Sequence, residues 1–351
     1  MPLSPEDRES DTARHISIGI GVGSQQMFGL LVDLNGDVLK RPVPMAHLGA
    51  EGRAIGRRDL VRTDVDAVVS SITELVDELR GLRPDLDEQK ALLGVGVSIG
   101  GHVNGRTGEV VRCPQLDWTS PVPLAALLKE KNPGLETVVV ENDVNALAMG
   151  AQLFGDVTRA VPAGVDPASY SSFAVVRLQT GIGVGLVLGT DLYRGVTGVA
   201  GEFGHFPIEE AGQPCVCGKR GCLETLASGT AILRAIREKR KVEDIDAAAA
   251  LVRSGDDDAR EAFEQAGTAL GGGLAGLVNL LNLRLIILCG EPAMLKCEPY
   301  MARVRESFRE RAFSTAAEDC ELRTESRTDE LEARGAASMV FDHLYDYLLD
   351  G

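Results

Sequence analysis

The segment from Glu202 to Glu224, EFGHFPIEEAGQPCVCGKRGCLE, holds the densest set of reactive side chains in the chain. His205 is followed by Cys215, Cys217 and Cys222. Three thiolates and one imidazole make a closed tetrahedral set of the kind that holds structural zinc. Gly218 and Gly221 let such a loop fold back tightly on a metal. The alternative is a group of reduced, unligated cysteines. Four further cysteines, Cys113, Cys289, Cys297 and Cys320, are scattered, and the N-terminal residues lack the apolar core of a secretory signal. In that setting a compact cluster reads as a metal site rather than a disulfide framework.

A second candidate is Asp143. It follows the apolar run Thr137 to Val140 and precedes a helical segment, a common position for a site residue in α/β proteins. A carboxylate there can accept the proton of an attacking hydroxyl and orient it in line with a γ-phosphate. Equally, it can cap the helix from Asn145. Glycine turns follow three apolar strands, at Gly21 to Ser24, Gly100-Gly101 and Gly181 to Gly183. Backbone amides of the turn formed by Thr180, Gly181 and Gly183 can face phosphate oxygens, although any hairpin can carry such a turn.

The elements that must position these residues read as α/β. His15 to Val32, closed by a turn at Asp33 to Gly36, predicts a β-hairpin. Leu92 to Ile99, Thr137 to Val140, Phe173 to Thr180, Gly183 to Leu188 and Leu285 to Cys289 read as strands. Helical spacing covers 65–82, 123–131, 145–153, a long stretch 227–252, then 259–281, 299–312 and 335–349. Strands alternating with helices argue for α/β architecture.

The 351 residues suggest two domains, and 44% hydrophobic residues are ample for packed cores. No apolar run reaches 18 residues, so no membrane span is expected and we place the chain in the cytoplasm. The net charge of −16 argues against a nucleic-acid partner, because neutralising phosphates supplies much of such affinity. The basic stretch from Arg234 to Lys241 reads as a solvated helix end.

Glu-x-Gly-His followed by Cys-x-Cys-Gly-x-x-Gly-Cys-x-Glu, at Glu202 to Glu224, resembles the hallmark of the ROK family (repressors, open reading frames and sugar kinases). ENDVNALAMG at Glu141 to Gly150 resembles its catalytic segment, LQTGIGVGLVL at Leu178 to Leu188 its second phosphate turn, and LVNLLNLRLIILCGEPA at Leu277 to Ala293 its late nucleotide-side segment. The resemblance implies the two-lobed actin-like, hexokinase-like fold with an interlobe cleft. We expect residues 1–14 as a disordered tail and 15–126 as a small α/β lobe on which a C-terminal helix, 335–351, packs back. Residues 127–334 would form a large α/β lobe carrying the zinc loop.

The resemblance further implies an ATP- and Mg2+-dependent kinase of a hexose, an N-acylhexosamine or a sugar-like cyclitol. Asp143 would be the general base, and Asn142, Glu202, His205 and Glu224 would bind substrate hydroxyls. His205 would also bind zinc with Cys215, Cys217 and Cys222, so that the metal fixes a recognition residue. Gly23, Thr180, Gly181, Gly183 and Gly272 are the candidate nucleotide contacts, with Gly271, Gly273 and Gly290 near the adenosine. A homodimer or homotetramer is expected.

Three departures from the family pattern stand out. Gly21, Gln25 and Gln26 occupy the aspartate, threonine and lysine positions of the opening Asp-x-Gly-Gly-Thr-Lys motif. Restoring the carboxylate with Gly21→Asp would, on sequence grounds, improve Mg2+ use. Ser98 to His102 replaces a Pro-Gly-Pro segment, and Gln115 stands where asparagine is frequent. The second function these changes allow is a sugar sensor acting through a protein partner. DNA binding is not expected, since some 14 residues precede the first strand and a helix-turn-helix domain needs roughly 50.

Overall fold

The computed structural model describes residues 15–39, 55–83, 92–155, 157, 161, 165–326 and 328–350; the tail expected over residues 1–14 lies outside them. The chain divides into two compact units, each with its own hydrophobic core. The first takes its described residues from Met1–Ala160, Arg194–Val199 and Asp329–Gly351, and the second from Val161–Tyr193 and Ala200–Thr328.

The first unit contains β1 (Ile16–Val22), β2 (Gln26–Asp33), β3 (Ile55–Asp59), α1 (Val65–Gly81), β4 (Leu92–Ile99), β5 (His102–Asn104), β6 (Glu109–Arg112), α2 (Leu124–Lys131), β7 (Thr137–Asn142) and α3 (Asp143–Phe154). Its main sheet has the order β3-β2-β1-β4-β7. β1 pairs antiparallel with β2 and parallel with β4. The chain reverses first at Gly23 to Gln25, a hairpin turn not placed from the sequence; the predicted turn at Asp33 to Gly36 also forms, with Gly36 N–H donating to Asp33 O at 2.8 Å, Leu39 N–H to Leu31 O at 2.9 Å and Val38 bridged antiparallel to Val32. Asp64 caps α1 by accepting from Ala67 N at 3.1 Å, and Val68, Ile72, Leu75, Val76 and Leu79 form its buried face. Helical spacing of those five residues is why this segment buries one stripe.

The division between units falls near Ala160 rather than at 126. β7 pairs with β4 from Gly94↔Thr137 to Ile99↔Asn142, which commits β7 and the helix that follows it to the first sheet.

The second unit contains β8 (Phe173–Leu178), β9 (Ile182–Leu188), β10 (Asp191–Leu192), α4 (Glu224–Ala227), α5 (Gly229–Arg237), α6 (Ile245–Arg253), α7 (Asp257–Leu281), β11 (Leu285–Gly290), α8 (Pro292–Leu295), α9 (Glu298–Arg311), α10 (Ser314–Asp319) and β12 (Glu321–Glu325). The sheet order is β10-β9-β8-β11-β12, with β8, β11 and β12 parallel. The long helix expected over 227–252 is broken after Arg237. Arg237 donates to the carbonyls of Val242 and Glu243, and Asp244 caps α6 by accepting from Ala247 N at 2.8 Å. Local side chain to backbone bonds of this kind compete with helix continuation. The basic stretch meets acids of α7 and its cap: Lys239 bonds Asp258 at 2.8 Å, and Arg240 pairs with Asp256 at 2.9 Å.

The last helix, α11 (Thr328–Asp350), returns to the first unit and begins earlier than the expected Gly335. It lies directly on backbone. A β-carbon at Gly19 would stand 1.8 Å from Ala333 O, and one at Gly96 1.8 Å from Ala336 O. Glycine on β1 and β4 is therefore what lets the helix settle onto the sheet. Ser17 Oγ fastens it by donating to Ala337 O at 3.0 Å. No helix among the described residues is long and apolar enough to cross a membrane.

Candidate active site and metal centre

In the first unit, β7 runs directly into α3. The side chain of Asn142 caps that helix, its Oδ1 accepting from Val144 N at 3.0 Å and Asn145 N at 3.2 Å. Its Nδ2 donates to Gly101 O at 2.9 Å. Asp143 is thus the first residue inside the helix, half-buried, with Oδ1 accepting from Val144 N at 2.9 Å. The helix N-terminus favours a negative charge at that position. Capping, one of the two readings the sequence left open for Asp143, falls to Asn142.

Glu141, which sequence reasoning missed, organises this turn. Its side chain is 2% exposed and accepts from Asn142 N at 2.8 Å, Asn145 Nδ2 at 3.0 Å and Arg194 Nε at 2.5 Å. A buried carboxyl is costly unless its oxygens meet donors, and these three supply them. The signal was present: an acid ends an otherwise apolar strand, TVVVEN.

At the end of β1, Gly23 N–H donates to Gln26 O at 3.0 Å, so this amide closes the turn on itself. Gln26 is held on β3, donating to Asp59 at 3.2 Å and accepting from Arg57 at 3.0 Å. A β-carbon on Gly21 would stand 3.0 Å from Oε1 of Glu332, a buried residue of α11. Ser98 Oγ, at the end of β4, bonds that same oxygen at 2.6 Å. His102 lies on β5, where its Nε2 meets Thr197 O at 3.1 Å. Gln115 Nε2 packs against Gly100, 2.2 Å from where a β-carbon would be.

In the second unit, the ligand atoms of His205, Cys215, Cys217 and Cys222 all lie within 4.8 Å of one another. Nδ1 of His205 is 3.4 Å from Cys215 Sγ, and the sulfurs of Cys217 and Cys222 are 3.6 Å apart. Gly218 N–H donates to Cys215 O at 2.9 Å, and Cys215 N–H to Lys219 O at 2.8 Å, which folds the loop into a knuckle. Gly221 has φ +67°, and a β-carbon there would meet Glu209 O at 1.6 Å; only glycine closes this turn.

The thiols fit a cation. Burial, followed by its two thiol neighbours, pushes Cys222 up to about 12, and burial raises Cys215 as well. At Cys217 burial also opposes ionisation, but hydrogen bonds from the Lys219 backbone and from Cys215 and Cys222 hold it below the ordinary thiol value. Of the three thiols Cys217 is the one whose ionisation is favoured, and three thiolates together call for a divalent metal.

Nε2 of His205 faces the other way, 3.8 Å from Oε2 of the exposed Glu202. Glu224 opens α4 and is half-buried; its Oε2 accepts from Ile182 N at 3.0 Å. A β-carbon on Gly181 would lie 2.5 Å from that oxygen, so the turn between β8 and β9 and this acid are built against each other. Thr180 is exposed on the same turn, and Gly183 pairs with Arg177 inside the sheet. Gly272 stands apart, on α7 beside Arg311 of α9. Its neighbours have packing duties: Gly271 admits the α9 backbone, Val304 O and Phe308 N, and Gly273 admits Leu223 and Phe203. Gly290 has φ +118° and approaches Leu178 O.

Two α/β units, each with parallel strands, and a cluster of one histidine and three cysteines behind a Glu-x-Gly-His turn define a known class. Residues 17–343 match the ROK family, and the chain belongs to it. Among its relatives is the xylose repressor of Bacillus subtilis, 28% identical over 333 residues, 95% of this chain and 78% of that protein. Another is a glucokinase of Halalkalibacterium halodurans, 28% identical over 309 residues, covering 83% and 88%. The fold matches a crystal structure of a ROK family glucokinase from Streptomyces griseus in complex with glucose and AMPPNP, with TM-score 0.70 and 25% identity over 93% of this chain and 99% of that one.

Proposed function

We propose that this chain is an ATP-dependent kinase acting on a hydroxyl of a hexose, an N-acylhexosamine or a sugar-like cyclitol. The observation that carries the reading is the division of labour at the start of α3. Asn142 supplies the cap, and Glu141 with Arg194 fixes the turn, so the half-buried Asp143 carboxylate is not needed to start the helix.

In this reading Asp143 accepts the proton of the substrate hydroxyl as its oxygen attacks the γ-phosphorus, and ADP leaves with the bridging oxygen. Glu202, Glu224 and His205 hold sugar hydroxyls through paired donors and acceptors. Asn142 adds a substrate contact only through capacity left beyond its cap and its bond to Gly101 O. Thr180, Gly181 and Gly183 approach the phosphates, with Gly23 and Gly272 as further nucleotide contacts. Mg2+ bound with the nucleotide would neutralise charge developing on the phosphates.

His205, Cys215, Cys217 and Cys222 would hold one structural zinc, which keeps the His205 ring fixed with Nε2 towards Glu202. The proposal includes assembly as a homodimer or homotetramer. The deciding experiment measures ATP consumption against a panel of hexoses, hexosamines and cyclitols.

A sugar sensor working through a protein partner is the second reading. Gly21 and the similarity to a xylose repressor favour it. Saturable sugar binding without ATP consumption across the panel would establish it instead.

A further inference from the structure

Parallel strands β1 and β4 end side by side, Gly21 opposite Ser98, and ligands of open α/β sheets bind beyond such carboxyl ends. A side chain on residue 21 would enter a space that is already taken. The occupant is the Glu332 carboxylate, delivered by α11, with Oε1 3.0 Å from the position of a Gly21 β-carbon. Ser98 Oγ holds that oxygen at 2.6 Å and lies within 3.3 Å of Ile20 O. Glu332 is 8% exposed, and the close seating of α11 on Gly19 and Gly96 fixes its height above the strands. A carboxylate and a hydroxyl therefore stand together where β1 turns into the glycine loop at Gly23. Oxygen donors of this kind suit Mg2+, which keeps most of its water shell and takes one or two carboxylates with the nucleotide phosphates.

We propose that Glu332 supplies the carboxylate that serves the Mg2+ of the bound nucleotide, in place of a residue on β1. The charge has moved from the strand to the helix, and the missing β-carbon at Gly21 makes room for it. Ser98 is a positioning residue, since it orients Glu332 through one hydrogen bond. The proposal rests on the kinase reading and adds to it the residue that makes nucleotide binding metal-dependent.

The test is calorimetric titration of AMPPNP into the full chain with and without Mg2+. The unmodified protein should bind AMPPNP more tightly when Mg2+ is present. Glu332→Gln, which preserves size and a hydrogen-bond partner for Ser98, should lose that gain by roughly 10–100-fold, the usual cost of disturbing support around a metal. Metal-free affinity should stay the same. The double variant Gly21→Asp/Glu332→Ala, which moves the carboxylate back to β1, should recover the Mg2+ dependence. It decides the matter should Glu332→Gln not fold. Undiminished Mg2+ dependence in Glu332→Gln overturns the proposal, as does a double variant that folds without recovering it. Equal affinity with and without Mg2+ in the unmodified chain also overturns it, while leaving the kinase reading to the turnover assay. No AMPPNP binding at all removes both.

Discussion

Arg194 Nε meets Glu141 Oε2 at 2.5 Å, with the arginine side chain 32% exposed and the glutamate 2%. The pair joins the Arg194–Val199 segment to the turn that carries Asn142 and Asp143, all within the first unit.

Removing the arginine leaves a carboxylate buried beside the start of α3. Arg194→Ala should cost about 2–3 kcal/mol, somewhat less than the loss of one partner from a wholly buried pair. Urea denaturation measures it. Adding Glu141→Gln should return part of the loss, because a neutral amide tolerates burial without a cation. A single variant as stable as the unmodified chain would show that the pair holds nothing in place.

Asp143→Asn should keep sugar affinity within a few fold and lower turnover by about 10²–10⁴-fold, the range for a general base. The amide retains size and polarity but takes no proton. Binding and turnover measured on the same preparation separate the two roles. Unchanged turnover removes Asp143 from the mechanism.

Zinc should be found at about one ion per chain, as the four-ligand set requires. Cys217→Ser should lower metal content and increase proteolysis of the loop that carries Glu202 and Glu224. Affinity should fall with acidity, because the thiols must lose protons to bind and regain them as pH drops. Metal analysis of a variant lacking two of the cysteines provides the check; full content there excludes this site.

Gly21→Asp alone should destabilise the protein by about 1–3 kcal/mol through overpacking. The sequence suggested the opposite, a restored magnesium site. The structure places the new carboxyl against Glu332, and two carboxylates in one buried space disfavour each other. Thermal melting of Gly21→Asp with and without Glu332→Ala distinguishes the two; an undestabilised single variant contradicts the crowding.

What could be read in the sequence was local. The metal set spans His205 to Cys222, and its glycines sit where a knuckle needs them. Strand Leu92–Ile99 was visible because its apolar residues are contiguous and end in glycines. Glu332 was hidden because its partner Ser98 lies 234 residues away, and nothing local sets it apart from the neighbouring acids Asp329 and Glu330 on the same helix. The break after Arg237 was hidden because EKRKVED has ordinary helix-forming residues; the bonds from Arg237 and the Asp244 cap override that preference. Gly271-Gly272-Gly273 read as helical and near the adenosine; what the sequence did not show is that Gly271 and Gly273 admit neighbouring elements to α7.

The seat of α11 on β1 and β4 has a consequence for how the protein is made. Synthesis delivers Ile16–Val22 and Leu92–Ile99 early and Asp329–Asp350 only after the described residues of the second unit. The second unit can complete its core while the ribosome still holds the helix that covers the first sheet. Until then the glycine-floored face of β1 and β4 is bare, the kind of surface on which nascent chains aggregate or recruit chaperones. Nascent chains arrested just short of Thr328 should therefore protect the second unit from protease before the first, although the first is begun earlier.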